Sequence, residues 1–189
     1  MVVADHVLVT GPSRGGKSEW AEQRINQLAV SHSVAYLATG PVLPEDANWQ
    51  ARLERHRRRR PASWTLLEAS DAAAVAEALG PDGCLADQLV LLDSLGGIVA
   101  AGLSQSELDW QEQQQLLLER LAQHPMPVVL VAEEVGWGVV PATAIGGVFR
   151  DRNGSLTRNC ERLCRESWLV AAGRALPLHQ FAERVAELN

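Results

Sequence analysis

Apolar residues in this chain gather into short blocks separated by longer amphipathic stretches. HVLVT (His6–Thr10), VAYLAT (Val34–Thr39), LVLLD (Leu89–Asp93), VVLVA (Val128–Ala132) and WLVA (Trp168–Ala171) are continuous β-branched or leucine-rich runs. Such runs predict strands buried on both faces. SWTLLE (Ser63–Glu68) predicts a shorter strand. Between the blocks the period changes. Lys17 to Ala29 carries Trp20, Ala21, Ile25, Leu28 and Ala29 at helical spacing. Asp46 to Arg59 predicts a second helix, with Asp46 as its cap and Pro61 turning Arg60 out of it. Further helices are predicted from Ser70, as N-cap, to Leu79; over Gly96–Gly102; from Ser106 to Gln123; over most of Pro141–Glu166 with a break near Gly154; and over His179–Asn189. Pro81-Asp82-Gly83 reads as a turn. Strands alternating with helices predict an α/β fold with a mostly parallel sheet and helices on both faces. Ligands on such a sheet bind beyond the carboxyl ends of the strands.

At 189 residues the chain suits one domain, here residues 1–178, with 179–189 as a helical tail. Hydrophobic residues at 47% and a net charge of −6 are those of a soluble protein and argue against general nucleic-acid or anionic-membrane binding. No apolar run reaches the ~20 residues of a membrane span, and the N-terminus is too polar for a signal peptide. Cys84, Cys160 and Cys164 lack the paired spacing of a disulfide framework or zinc site. Cys160 and Cys164, four apart on a predicted helix, read as small packing residues. The expected compartment is the cytoplasm.

Candidate chemistry begins at the end of the first strand. Gly11-Pro12-Ser13-Arg14-Gly15-Gly16-Lys17-Ser18 fits the phosphate-loop pattern GxxxxGK[ST] in full, after a predicted strand and before a predicted helix. The glycines let backbone N–H groups curl around phosphate oxygens, and the helix N-terminus adds its positive end. Lys17 is the sole lysine of the chain; its compact charge serves the β- and γ-phosphates, and the Ser18 hydroxyl suits Mg²⁺. The fold is therefore expected to be a single P-loop NTPase-like domain. A metal-side carboxylate is expected at a strand end: Asp93 first, Glu133 or Glu134 second. Each also has a bland reading as a cap or a loop ion pair.

A second feature is RLERHRRRRP, Arg52 to Pro61. On a helix, Trp49, Leu53 and His56 fall at i, i+4 and i+7, so His56 continues an apolar stripe flanked by Arg52, Arg55 and Arg59. One reading is a charged helix face with an incidental histidine. The other is polyanion chemistry, in which arginine forks bind phosphates and a neutral imidazole acts as nucleophile. Flanking arginines are expected to keep that imidazole neutral. Without interleaved aromatics, the run does not read as a nucleic-acid grip.

Several segments together resemble the bifunctional adenosylcobinamide kinase / adenosylcobinamide-phosphate guanylyltransferase family of cobalamin assembly. They are VTGPSRGGKSEWAE, VAYLATG, ARLERHRRRRPASW with Glu68 after it, VLLDSL, EVGWGVVP, FRD (Phe149–Asp151) and WLVAAG, in the family's order over about residues 6–175. The resemblance implies two reactions. ATP or GTP phosphorylates the aminopropanol hydroxyl of adenosylcobinamide, and GMP then passes from GTP to that phosphate through a histidine, a role falling on His56. It further implies nucleotide contacts at the loop residues Gly11–Ser18, at Ala38, Thr39 and Gly40, at Arg57, Arg58, Arg59, Arg60 and Pro61, and at Glu68 and Asp93, with Ser18 and Asp93 on Mg²⁺. Lys17 and His56 are the implied catalytic residues, and Gly136–Pro141 and Phe149–Asp151 are structural or on the corrinoid side. A homotrimer is implied as well.

The chain departs from the family's pattern at four places. Arg55 stands where a second histidine is common. DSLGGIVAAG replaces a more polar stretch after the strand, with Ala101 at a frequent Asn. Thr157-Arg158 replaces an Asn-Gln pair, and the tail runs past Leu178. Two other readings are a kinase without guanylyl transfer and a non-catalytic P-loop module gripping RNA or an acidic partner.

Overall fold

The computed structural model describes residues 5–30, 32–41 and 45–186, the side chains of Asn48, Trp49 and Arg52 excepted. Strands β1 (His6–Gly11), β2 (Val34–Ala38), β3 (Thr65–Glu68), β4 (Leu89–Asp93), β5 (Val128–Glu133), β6 (Cys164–Ala171) and β7 (Arg174–Pro177) form one sheet in the order β3-β2-β4-β5-β1-β6-β7. All neighbours are parallel except β7, which runs antiparallel to β6. The helices are α1 (Lys17–Leu28), α2 (Ala47–Arg59), α3 (Ala72–Leu79), α4 (Leu95–Ala101), α5 (Glu107–Gln123), α6 (Ala144–Glu161) and α7 (Leu178–Phe181).

The period of two along each strand divides the core. Val7, Val9, Tyr36, Leu91, Val129 and Val131 pack on one face with Ala21 and Ile25 of α1. Leu8, Leu37, Leu92 and Leu130 pack on the other with Val75 and Leu79 of α3 and Leu117 and Leu121 of α5. Burial on both faces is why these strands read as unbroken apolar runs. The expected α/β architecture is observed, and among the described residues no helix is long and apolar enough to cross a membrane.

Several boundaries differ from expectation. Asp71, not Ser70, caps α3: its Oδ1 accepts from the Ala74 N–H at 2.8 Å. Helix α6 runs unbroken through Gly154, whose position faces open space, and it ends at Glu161 rather than Glu166. Cys164 therefore opens β6 instead of sharing a helix with Cys160, because pairing with β1 outweighs the local helical pattern. Both cysteines are buried, as their reading as packing residues requires, and the Cys164 thiol donates to the Cys160 carbonyl at 3.2 Å. Burial pushes the Cys160 thiol up to about 12.

Strand β7 was absent from the sequence reading. Ala172 (φ 51°) and Gly173 (φ 71°) form the two-residue link of a β6–β7 hairpin, both in the left-handed region that such a tight link requires. The helical tail expected over 179–189 is confined to α7; residues 182–186 are not helical, and 187–189 lie outside the described residues. Arg184 fastens that segment down, donating to the Cys164 carbonyl at 2.8 Å and pairing with Glu161 at 3.3 Å.

His6 sits fully buried under this sheet. Its Nδ1 accepts from the Val128 N–H at 3.1 Å, and its Nε2 faces the Leu121 carbonyl at 2.8 Å as donor. Accepting at one nitrogen and donating at the other is the pattern of a neutral ring. Burial lowers the pKa of His6 from its ordinary 6.5, opposed by the Leu121 hydrogen bond. As pH falls below the unfolded value of about 6.5, the unfolded chain gains a proton that the folded one resists, so stability declines. The urea midpoint of the wild type is expected to drop between about pH 7 and pH 5. His6→Gln is expected to be less stable at pH 7 and to show a shallower slope across that window; equal slopes would assign the acid sensitivity elsewhere.

Candidate active site

Parallel pairing gathers residues far apart in sequence at one edge of the sheet. Gly11 is level with Glu133, and Ala38 is level with both Glu68 and Asp93. Glycine is required at the start of the loop. Gly11 has φ 150°, and a Cβ there would lie 2.1 Å from the Val170 carbonyl oxygen. At Gly15 the same oxygen would be 2.7 Å from a Cβ, so the loop lies directly on β6. The loop is further tied by the Gly173 N–H to the Gly15 carbonyl (3.0 Å) and by the Glu134 N–H to the Gly11 carbonyl (2.8 Å). Gly16, at φ 102°, is the N-cap of α1 and brings no side-chain cap, so the first N–H groups of that helix are left for a ligand. Lys17 is buried, its Nζ donating to the Pro12 carbonyl at 2.9 Å.

Two cavities meet beside this loop. The first, about 580 Å³, is lined by Arg14, Gly15, Gly16, Lys17 and Ser18, and on its far side by Arg55 and Arg59. The second, about 470 Å³, is lined by Ala38, Gly40, Arg57, Arg60 and Glu68, with apolar contributions from Leu53, Leu66, Ala100 and Phe149. His56, Asp93 and Glu133 line both. The stripe that turns His56 inward is described at Leu53 and His56; the side chains of Trp49 and Arg52 lie outside the described residues.

The His56 Nδ1 lies 3.8 Å from Asp93 Oδ2 and 3.4 Å from an Arg59 nitrogen. A carboxylate of opposite sign therefore stands near the ring as well, slightly further off than the arginine expected from sequence to flank it. Asp93 Oδ2 also accepts from the Tyr36 hydroxyl at 2.9 Å, and Arg60 stacks 3.9 Å above the Tyr36 ring while its Nε donates to the His56 carbonyl. Burial, together with the Asp93 charge, raises the Tyr36 pKa, so this phenol stays a hydrogen-bond donor. Arg59 reaches across to α1, paired with Glu19 and, at 3.0 Å, with Glu22. Burial raises the Glu22 pKa, opposed by Arg59.

The remaining sequence candidates separate. Arg57 and Arg58 pair with Glu54 along the exposed face of α2; Arg57 still borders the second cavity, while Arg58 borders neither. Gly11, Pro12, Ser13, Thr39 and Pro61 line neither cavity. Thr39 is buried and positions others: its Oγ1 accepts from the Ser94 N–H at 2.8 Å and donates to the Ser94 carbonyl. Ser94 in turn donates to Glu133, whose other carboxylate oxygen accepts from the Gly96 N–H at 3.1 Å. Glu134 lines neither of the His56 cavities, which leaves Asp93 and Glu133 of the three strand-end candidates beside the phosphate loop.

Sequence reasoning missed Asn153 and Arg152. Asn153 is buried and donates to the Glu133 carbonyl at 2.7 Å. Arg152 is buried against Trp110 and donates to the Gly102 carbonyl at 2.8 Å, holding the end of α4. A signal for Asn153 was present: with Leu156 and Cys160 it forms the buried stripe of α6 at helical spacing, where an amide needs a partner.

A parallel sheet with a glycine loop between β1 and α1 defines an α/β protein of the P-loop NTPase type. The family model for cobinamide kinase / cobinamide phosphate guanyltransferase (CobU) matches residues 7–178. The bifunctional adenosylcobalamin biosynthesis protein CobU of Salmonella typhimurium is 31% identical over 179 residues, covering 88% of this chain and 96% of that protein. Its Escherichia coli counterpart is 33% identical over 181 residues, with 88% and 96% covered. The bifunctional adenosylcobalamin biosynthesis protein CobP of Pseudomonas aeruginosa is 30% identical over 172 residues, with 90% and 95% covered. The chain belongs to the cobinamide kinase / cobinamide phosphate guanyltransferase family.

Gly11→Ala tests the loop's seat on β6. It is expected to lower stability by about 1–3 kcal/mol and to abolish triphosphate binding, read by thermal melts with and without GTP. A variant that melts like the wild type and is still stabilised by GTP would contradict the close approach to Val170.

Proposed function

We propose that this protein phosphorylates adenosylcobinamide with ATP or GTP and then transfers GMP from GTP to the resulting phosphate, with His56 as the GMP carrier. The observation that carries this reading is that His56 lies on the wall shared by the phosphate-loop cavity and its neighbour. A triphosphate seated on the loop has its γ-phosphate at Lys17 and its α-phosphate toward that wall, with the nucleoside in the second cavity beside Glu68.

In the kinase step the acceptor hydroxyl oxygen attacks the γ-phosphorus. The bond to the β–γ bridging oxygen breaks, the nucleoside diphosphate leaves, and the hydroxyl proton passes to solvent. Lys17, the loop N–H groups and Arg14 and Arg59 around the cavity neutralise the charge in flight. In the second step a His56 nitrogen attacks the α-phosphorus of GTP and pyrophosphate leaves. The ring attacks as the neutral imidazole through its lone-pair nitrogen, keeps its one N–H proton, and Asp93, 3.8 Å from Nδ1, stabilises the positive charge the ring gains as the P–N bond forms. An oxygen of the acceptor phosphate then attacks the same phosphorus, the P–N bond breaks, and the imidazole is restored. Arg59 and Arg60 hold the helix end that carries His56.

Mg²⁺ belongs to this reading. Ser18, Asp93 and Glu133 offer hard oxygen ligands around the loop cavity. Among the described residues no group of three His, Cys, Asp or Glu side chains forms a metal cage. That suits an ion completed by phosphate oxygens, which would supply charge neutralisation on the triphosphate. Assembly as a homotrimer in the cytoplasm is part of the same proposal, and the exposed Trp137, Val139, Val140 and Ile145 supply an apolar surface for it.

GTP labelled at the α-phosphate tests the proposal. Wild type with Mg²⁺ is expected to retain acid-labile, base-stable label after denaturation, and His56→Asn to retain none while still phosphorylating cobinamide. No label on a GTP-binding wild type would leave a kinase alone; equal loss of both activities in His56→Asn would make His56 a shared binding residue. Lys17→Ala is expected to lose triphosphate binding, and tight GTP binding by that variant would overturn the role of the loop.

A further inference from the structure

A third cavity, about 870 Å³, lies between α6, the sheet face at β1 and β6, and the segment after β7. Leu8 and Ser167 form its floor, Asn153, Thr157 and Arg158 one wall, and residues 178–185 the other. It adjoins the active site at one residue: Glu133, which lines both His56 cavities, lines this one too. Glu133 therefore borders all three cavities.

We propose that this third cavity binds the body of the corrinoid acceptor, with the acceptor's aminopropanol arm passing Glu133 toward the phosphate loop and His56. The inference rests on the function proposed above. That function needs three partners at one place: a triphosphate, a nucleoside and an acceptor. The first two cavities take the first two. The acceptor presents the same arm in both reactions, first as hydroxyl and then as phosphate, so one fixed seat beside Glu133 serves both.

The lining suits a large apolar ring fringed by primary amides. Asn153 is 1% exposed and spends its amide N–H on the Glu133 carbonyl, leaving Oδ1 without a partner. The Thr157 hydroxyl is likewise buried and unpartnered. Arg158 has no ionic partner among the described residues. These groups accept from amide N–H and donate to amide C=O, the two functions every primary amide carries. A polyanion such as a second nucleotide fits worse. Glu133, Glu134, Glu161 and Glu183 line the cavity beside five arginines, and of these Arg150, Arg165 and Arg184 are already paired with Asp151, Asp5 and Glu161. Leu8, Leu178 and Val185 supply apolar contact, and the size is near the upper end of the roughly 300–1,000 Å³ typical of small-molecule pockets. The tail wall lies beyond residue 178, where the family match ends, so it is a place where this chain sets its own corrinoid preference.

Gly154 provides the test. It lines the cavity, and a Cβ there meets nothing within 4 Å, so Gly154→Trp fills the space without a backbone clash. With ATP saturating, KM for cobinamide is expected to rise roughly tenfold or more in Gly154→Trp, and likewise in Arg158→Glu, which exchanges a donor for acceptors. His56 labelling by GTP, which needs no acceptor, reports the nucleotide cavities in the same samples. Unchanged KM in both variants of an enzyme that phosphorylates cobinamide overturns the assignment. A wild type that takes GMP label but does not phosphorylate cobinamide overturns it together with the acceptor half of the proposed function. Should Gly154→Trp lack a cooperative melt, Arg158→Glu, on the exposed side of α6, decides by the same KM criterion.

Discussion

Everything at this site depends on the register of a parallel sheet. Parallel strands all point the same way, so the residues that close the apolar runs arrive at the same side of the sheet. Ala38, Glu68 and Asp93, the last residues of β2, β3 and β4, stand in one row; Gly11 and Glu133, the last of β1 and β5, are level with each other two residues further on, since Asp93 pairs with Val131. A slip of one residue in β4 would send Asp93 to the opposite face and break its contacts with Tyr36 and His56. The buried leucines and valines oppose that slip, because it would exchange them between two differently packed faces, where their shapes no longer fit. Core packing and catalytic geometry are therefore one constraint.

The row alone would leave carboxylates at a frayed edge. A polar chain behind it fixes their directions. Thr39 holds Ser94, Ser94 and the Gly96 N–H hold the Glu133 carboxylate, and Asn153 holds the Glu133 carbonyl. This ties the ends of β2, β4 and β5 to α4 and α6. Gly96 and Gly97, in the stretch that departs from the family's polar pattern, are required by it. A Cβ at Gly96 would lie 2.4 Å from Glu133 Oε2, and one at Gly97 would lie 2.4 Å from the Thr39 carbonyl oxygen. The departure thus carries close packing of α4 against the site.

What was legible in the sequence follows from range. The central strands and the phosphate loop are specified by adjacent residues, and their bounds fell within a residue or so of those observed. Features set by distant partners were not readable. Cys164 looks helical until β1 is beside it, and β7 exists because an Ala-Gly link, weaker as a signal than Asn-Gly, folds it back on β6. The tail's helical period yields to the Arg184 clasp. At the site, His56, Lys17 and Asp93 were legible as types in context. The division of labour among the arginines was not, since it depends on Glu19, Glu22 and Glu54 in three dimensions.

That division explains why the run carries so many arginines around one histidine. Arg58 and Arg57 keep the outer face of α2 solvated through Glu54. Arg60 clamps the end of the helix to Tyr36 and to the His56 carbonyl. Arg59 bridges α2 to α1, beside the ring. α1 begins at Lys17, so Arg59 couples the helix bearing His56, the proposed nucleophile, to the helix that opens at the phosphate loop. The proposed reactions attack one triphosphate at γ and a second, which replaces the departing diphosphate, at α. In the proposed scheme, two tied helices each offer their own group to a different phosphorus, so successive triphosphates use one seat: the first leaves as diphosphate, and the second gives up GMP and pyrophosphate.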